Sequence, residues 1–162
     1  MPATIRAATP ADTSAIFALT YELAEFESLT HVFVATEDGL HDALFGTRPS
    51  IEALVAEQEG RIVGYALFFH NYSSFVGKRG LYLEDVYVQP DQRGSGLGSA
   101  LLQRLAALAV ERQCGRFEWT VLDWNQPAIS FYEKMGATVL PDWRVVRLAG
   151  DALAKLAAGT AA

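Results

Sequence analysis

Hydrophobic and polar positions change period along the chain, and each change marks an element. Thr4–Ala7 reads as a short first strand. Thr9-Pro10-Ala11-Asp12 reads as a helix start, with Thr9 as N-cap and Pro10 at the first helical position. Ile16, Leu19, Leu23 and Phe26 then fall on one stripe and predict a helix to about Glu27. Thr36 caps a second helix whose Leu40, Ala43, Leu44 and Phe45 face inward, and Gly46 and Pro49 end it. Residues 51–57 predict a strand and 58–60 a hairpin turn. Residues 62–70 are apolar almost throughout, the pattern of a strand covered on both faces and therefore central. A loop at 71–78 leads to a strand at 81–88, where Glu84-Asp85 interrupt the alternation and after which Pro90 withholds an N–H. Leu97, Leu101, Leu102, Leu105 and Leu108 recur at helical spacing. A strand at 117–122, a helix at 126–135 closed by Gly136, a last strand at 143–148 and a short helix at 151–157 complete the pattern. The Ala-rich tail is expected to fray. The order predicts one α/β (α+β) domain over residues 1–162, built on a mixed, mostly antiparallel sheet.

Composition narrows the class. The chain of 162 residues is 51% hydrophobic and 20% charged, which suits a folded globular protein. A chain of this length buries roughly 70% of its unfolded surface. No apolar run approaches the roughly 20 residues of a membrane span, so no membrane partner is expected. The net charge of −6 argues against nucleic acid, whose binders show a basic face, and mildly favours cationic substrates. Cys114 is the only cysteine, so an internal disulfide and a zinc–cysteine cluster are both excluded. The start of the chain shows no signal-peptide pattern, and with the single thiol this points to a cytoplasmic protein. His31, His41 and His70 show no metal-ligand spacing, and no metal site is expected.

The chemistry begins where the 81–88 strand meets the long helix. Arg93-Gly94-Ser95-Gly96-Leu97-Gly98 is a Gly-rich turn opening a helix. The first helical N–H groups lack intrahelical partners and carry the positive end of the macrodipole, so the turn suits an anion. Gly96 and Gly98 allow close approach to the backbone, and Arg93 adds a charged fork for phosphate. The spacing is neither G-x-G-x-x-G nor G-x-x-x-x-G-K-S/T, so a dinucleotide fold and a P-loop are both excluded. The alternative is a Gly-rich turn that only reverses the chain.

The Arg93-x-x-Gly96-x-Gly98 pattern resembles the acyl-CoA pyrophosphate loop of the GCN5-related N-acetyltransferases, the GNAT superfamily. The order of elements resembles that fold along nearly the whole chain. The resemblance implies acetyl-CoA as cofactor, lying in a cleft where two strands splay apart, with Val86 and Val88 pairing to its pantetheine arm. It implies Arg93, Gly94, Ser95, Gly96, Leu97 and Gly98 at the phosphates. Asn125 and Tyr132 match the superfamily's cofactor-binding Asn and sulfur-facing Tyr, seven residues apart. Acetyl transfer needs a neutral amine, a stabilised oxyanion and a proton for the leaving thiolate. A phenol supplies the last, making Tyr132 a candidate general acid. An alkyl ammonium holds about 4 kcal/mol in the wrong protonation state at neutral pH. Glu84 is the candidate base and Asp85 the alternative. Adjacent strand residues face opposite sides, so both serve equally only if a bulge intervenes. Read without the resemblance, Tyr132 is also a core aromatic, Asn125 a helix cap and Glu84 a structural carboxylate.

At closer range the chain resembles the diamine acetyltransferases, meaning spermidine/spermine N1-acetyltransferase and its thialysine-acetylating relatives. The matches include Tyr82-Leu83-Glu84-Asp85, Trp124-Asn125-Gln126-Pro127, Phe131-Tyr132 and Trp143-Arg144. This implies a small-molecule amine substrate, with Glu27, Glu84 and Asp85 lining its pocket and Trp143 as a wall. It also implies a homodimer. Polyamine acetylators carry an acid and a Trp where this chain has Ser73 and Phe75, so a shorter amine such as a lysine analogue competes with a long polycation. Because Cys114 is the only thiol and falls near the end of the long helix, the expected route is direct transfer in a ternary complex. The alternatives are a GNAT enzyme for another amine (peptide, protein, antibiotic or amino acid) and a non-catalytic acyl-CoA sensor.

Overall fold

The computed structural model describes residues 2–159. They form two compact units, divided between residues 120 and 121. In the first, β1 (Thr4–Ala7), β2 (Glu52–Gln58), β3 (Arg61–Ser73), β4 (Lys78–Val88) and β5 (Phe117–Glu118) make one sheet in that spatial order. The first three neighbouring pairs are antiparallel and β4–β5 is parallel. The apolar run of β3 is the middle strand, as its pattern predicts. Glu59 and Gly60, both at positive φ, join β2 to β3 as a two-residue hairpin turn.

Alternate positions send two sets of side chains to opposite faces. Val55, Tyr65, Leu67 and Tyr87 pack with Ile16 and Leu19 of α1 (Thr13–Phe26) and Leu44 of α2 (Glu37–Phe45). On the other face, Ala56 and Val63 pack with Leu97 at the start of α3 (Leu97–Glu111). Thr36 caps α2 by accepting from the Gly39 N–H at 3.1 Å. Pro10–Asp12 forms one 3₁₀ turn before α1 rather than its first α-turn, with Thr9 as the N-cap of that turn. The Asp12 carboxylate accepts from the Thr9 N–H at 2.7 Å and the Thr9 hydroxyl at 3.0 Å.

Arg6 on β1 closes this corner with a two-pronged bond to Asp12, at 2.7 and 3.0 Å, and a second bond to Glu57 on β2. The Arg6 hydrogen bond holds the Asp12 carboxyl down at about 2, against an ordinary 3.8. A depressed carboxylate stabilises the fold above its unfolded pKa and loses that contribution as pH falls from about 4 to 2. Breaking a fully buried pair costs about 3–5 kcal/mol. The Arg6 side chain is a third exposed, so Arg6→Ala is expected to lose about 2 kcal/mol at pH 7. Urea unfolding checks this, and the deficit should shrink at pH 3. An equal deficit at both pH values would assign the effect to packing of the arginine stem.

Three predicted boundaries fail. Residues 71–78 are not one loop: β3 continues to Ser73 and β4 begins at Lys78, because Asn71 and Tyr72 pair with Gly80 and Arg79. The strand expected at 117–122 pairs only as Phe117–Glu118, opposite Leu81 and Tyr82. Beyond Tyr82, β4 runs on to Val88 with no partner on that side among the described residues. Cys114 lies just past α3 rather than in it, its N–H bonded to the Ala109 carbonyl. His41 faces the Thr13 hydroxyl and His70 faces Arg112.

The second unit contains α4 (Gln126–Lys134) and α5 (Gly150–Ala157). Gly136 at φ 100° follows α4, and the Ala137 N–H returns to the Tyr132 carbonyl. No strand forms at 143–148. A strand's ladder needs a partner, and none is present for this segment among the described residues. Trp143 is 80% exposed there. The tail from Thr160 lies outside the described residues.

Candidate active site

The decisive local feature is a bulge in β4. Leu67 pairs with Asp85 but the next residue, Phe68, pairs with Leu83, which leaves Glu84 without a partner on β3. The extra residue inverts the alternation. Without it, Asp85 would share the face of Leu83. With it, Asp85 joins Tyr65, Leu67 and Tyr87 on the face covered by α1. Glu84 itself is exposed.

Burial pushes the Asp85 carboxyl up to about 6. The Glu84 charge adds to the rise, the Tyr65 hydrogen bond opposes it, and the Glu27 charge adds a little more. The Tyr65 hydroxyl donates to Asp85 Oδ2 at 3.4 Å. Glu27, the C-cap of α1, is also raised by burial. None of these three carboxylates makes an ion pair among the described residues. The first unit therefore holds an uncompensated negative site between the end of α1 and the bulge, with one member titrating near neutrality.

The Gly-rich turn follows β4 through a 3₁₀ turn at Pro90–Gln92. Gly94 and Gly96 sit at φ 80° and 86°, where glycine is favoured. A Cβ placed at Gly94, Gly96 or Gly98 would meet nothing within 4 Å, so the backbone is open to a ligand. Gly96 is the N-cap of α3 and offers no side-chain oxygen, which leaves the N–H groups of the first turn to an outside acceptor. The residues present fit a pyrophosphate. The Leu97 side chain is buried in the core, so only its backbone is available there. Ser95 Oγ is turned to the Gln92 carbonyl.

Arg93 Nε donates to the Val88 carbonyl at 3.2 Å, and the guanidinium lies over the rings of Phe26 and Tyr87 at 4.9 and 5.5 Å. It thus ties the turn to α1. Tyr87 and Gln89 both donate to Glu22 on α1, at 3.1 and 3.2 Å. Sequence reasoning gave no role to this clasp or to Tyr65. The signal in each case was a polar atom on an otherwise apolar strand face, which needs a partner when buried.

Three expected site residues belong to the second unit. Asn125 caps α4, its side chain accepting from the Ala128 N–H at 3.4 Å. Tyr132 is half-buried on α4 with its ring 5.6 Å from that of Phe131. Trp143 lies in the unpaired 143–148 segment.

Residues 17–137 match the model of the acetyltransferase (GNAT) family. The chain belongs to that family. Among GNAT relatives, it is 37% identical to the L-ornithine N5-acetyltransferase of Arabidopsis thaliana, over 92% of this chain and 85% of that one. It is 38% identical to the thialysine N-epsilon-acetyltransferase of Mus musculus, over 94% of this chain and 96% of that one. An integron cassette protein from V. cholerae shares the fold with a TM-score of 0.81 at 24% identity, over 97% of this chain and 98% of that one. This GNAT enzyme is therefore an N-acetyltransferase acting on amines, in a family that generally uses acetyl-CoA as acyl donor. No helix among its described residues is long and apolar enough to cross a membrane.

Proposed function

We propose that this enzyme transfers acetyl from acetyl-CoA directly to a small primary amine carrying a second charged group: a diamine, a polyamine or a lysine analogue such as thialysine. The observation that carries the reading is the negative site made when the bulge turns Asp85 toward α1, near Glu27 and Glu84 and without a cation of its own. The relatives named for thialysine and ornithine support an amine of that size. The Gly94–Gly98 backbone and Arg93 hold the donor's phosphates. Val86, Val88 and Asn125 align its arm, and Trp143 serves the amine.

Asp85 takes the proton from the attacking ammonium. A base works best when its pKa lies near the working pH, and Asp85, pushed up to about 6, is closer than an ordinary carboxylate. Glu27 and Glu84 hold the second cationic group. A backbone N–H at the bulge donates to the developing oxyanion, and Tyr132 gives its proton to the departing thiolate. Transfer is direct, because Cys114 beyond α3 is the only thiol. The working unit spans the whole chain, acts as a homodimer and resides in the cytoplasm.

The test is CoA release with spermidine, spermine, putrescine, ornithine, thialysine, a lysine peptide and an aminoglycoside. The expected result is kcat/KM on thialysine, ornithine or a diamine at least about tenfold above the peptide, the worth of one desolvated charge contact of about 1.5 kcal/mol. Uniformly slow turnover of the small amines would remove this substrate class.

A further inference from the structure

Tyr65 stands in the middle of the central strand, fully buried, and its hydroxyl donates to Asp85 Oδ2 at 3.4 Å. Tyr65 pairs with Tyr87, and Leu67, two residues on, pairs with Asp85. Tyr65 and Asp85 are therefore diagonal neighbours on one face, the separation a long side chain spans. The contact exists only because the bulge moves Asp85 to that face. Thr20, one turn beyond Ile16 on α1, also reaches the phenol, and its own hydroxyl donates to the Ile16 carbonyl at 2.8 Å.

We propose that Tyr65 is a positioning residue for the proton-accepting carboxylate: its buried hydroxyl donates to Asp85 Oδ2 and holds the other oxygen toward the amine. The inference rests on Asp85 being that acceptor. The groups facing Asp85 are Glu84 on its own strand, Glu27 at the end of α1 and Tyr65 on β3, and none is a cation. Among the described residues Tyr65 is thus the only neighbour that favours the ionised form. Burial, and then the Asp85 charge, hold the phenol above its ordinary range, so it remains a donor at every working pH. The 3.4 Å separation is long, and hydrogen bonds of this kind commonly tighten once substrate is bound.

The test uses the full-length enzyme with its aspartate carboxyl carbons ¹³C-labelled, titrated by NMR without substrate. Asp85→Asn identifies the Asp85 signal. Tyr65→Phe is expected to raise the Asp85 midpoint by about one pH unit, the worth of a hydrogen bond to a charged group. The acidic limb of kcat/KM should move by the same amount, with kcat lowered about tenfold and KM for the amine little changed. A folded Tyr65→Phe enzyme with an unmoved midpoint overturns the proposal. If Tyr65→Phe does not fold, 3-fluorotyrosine placed at position 65 alone provides a better donor of nearly the same shape. It should lower the midpoint, and an unmoved midpoint overturns the proposal equally. Full turnover by Asp85→Asn would instead remove Asp85 as base, while the titration would still decide what Tyr65 does to its carboxylate.

Discussion

Asp85→Asn lowers kcat/KM for the amine by about 10²–10⁴, the range for loss of a positioned proton acceptor. The wild-type rate should rise with pH through about 6, because Asp85 accepts a proton only when ionised. In the variant that limb disappears rather than shifting. Stability should move the other way. A carboxyl whose folded value is raised from 3.8 to about 6 is penalised by the fold when ionised. The native state holds this proton more tightly than the unfolded chain, so Asp85 erodes stability as pH rises from about 4 to 6 and continues to cost above that. Two units are worth about 3 kcal/mol, and relaxation reduces that, so Asp85→Asn is expected to be about 1–3 kcal/mol more stable at pH 7. A more stable and much slower enzyme is the mark of a group kept for chemistry. Urea unfolding and the pH profile, measured on one preparation, check both halves. Glu84→Gln provides the contrast. It removes a charge that raises Asp85, so the limb should slide to lower pH while kcat falls only a few-fold. If the limb follows Glu84 instead, the two acids exchange roles.

The contrast between these neighbours shows where the sequence was legible. Local patterns carried the Gly-rich turn, α3 and the central place of β3, because each depends on residues close in the chain: the 94/96/98 glycines, the leucine stripe and an unbroken apolar run. Thr36 and Gly136 were readable for the same reason, since a cap is chemistry within one turn. What was not legible lies across strands. Glu84-Asp85 disturb the alternation, but only pairing with Leu67 and Phe68 decides which acid is the extra residue and which turns inward. Tyr65 reads as one more aromatic in an apolar run until Asp85 is placed beside it. The Arg6–Asp12–Glu57 network joins residues 51 apart in the chain. The strand expected at 143–148 finds no partner among the described residues, and the one expected at 117–122 keeps a partner for two residues only. Pattern describes what a segment would do if paired. It does not supply the pair.

Tyr132→Phe is expected to lower kcat by about 10²–10⁴ while the affinity for acetyl-CoA changes little. The phenol is presented by a helix fixed at both ends. Asn125 caps α4 and Pro127 stands in its first turn. At the other end, the Met135 and Ala137 N–H groups both return to the Tyr132 carbonyl. The backbone of Tyr132 is thus held by the turn that stops the helix, so replacing the ring's hydroxyl should not move the ring. The ring contact with Phe131 survives in the variant. If the hydroxyl serves the leaving thiolate, the loss belongs in kcat and kcat/KM together, since the interaction is made only as the thioester breaks. Calorimetric titration with CoA should then give nearly equal affinities for the two enzymes. Asn125→Ala gives the opposite signature: the cap is lost, α4 loosens at about 1 kcal/mol, and acetyl-CoA affinity falls with stability. Should Tyr132→Phe show that second signature, the tyrosine would be a packing residue beside the donor. The thiolate would then have to leave unprotonated.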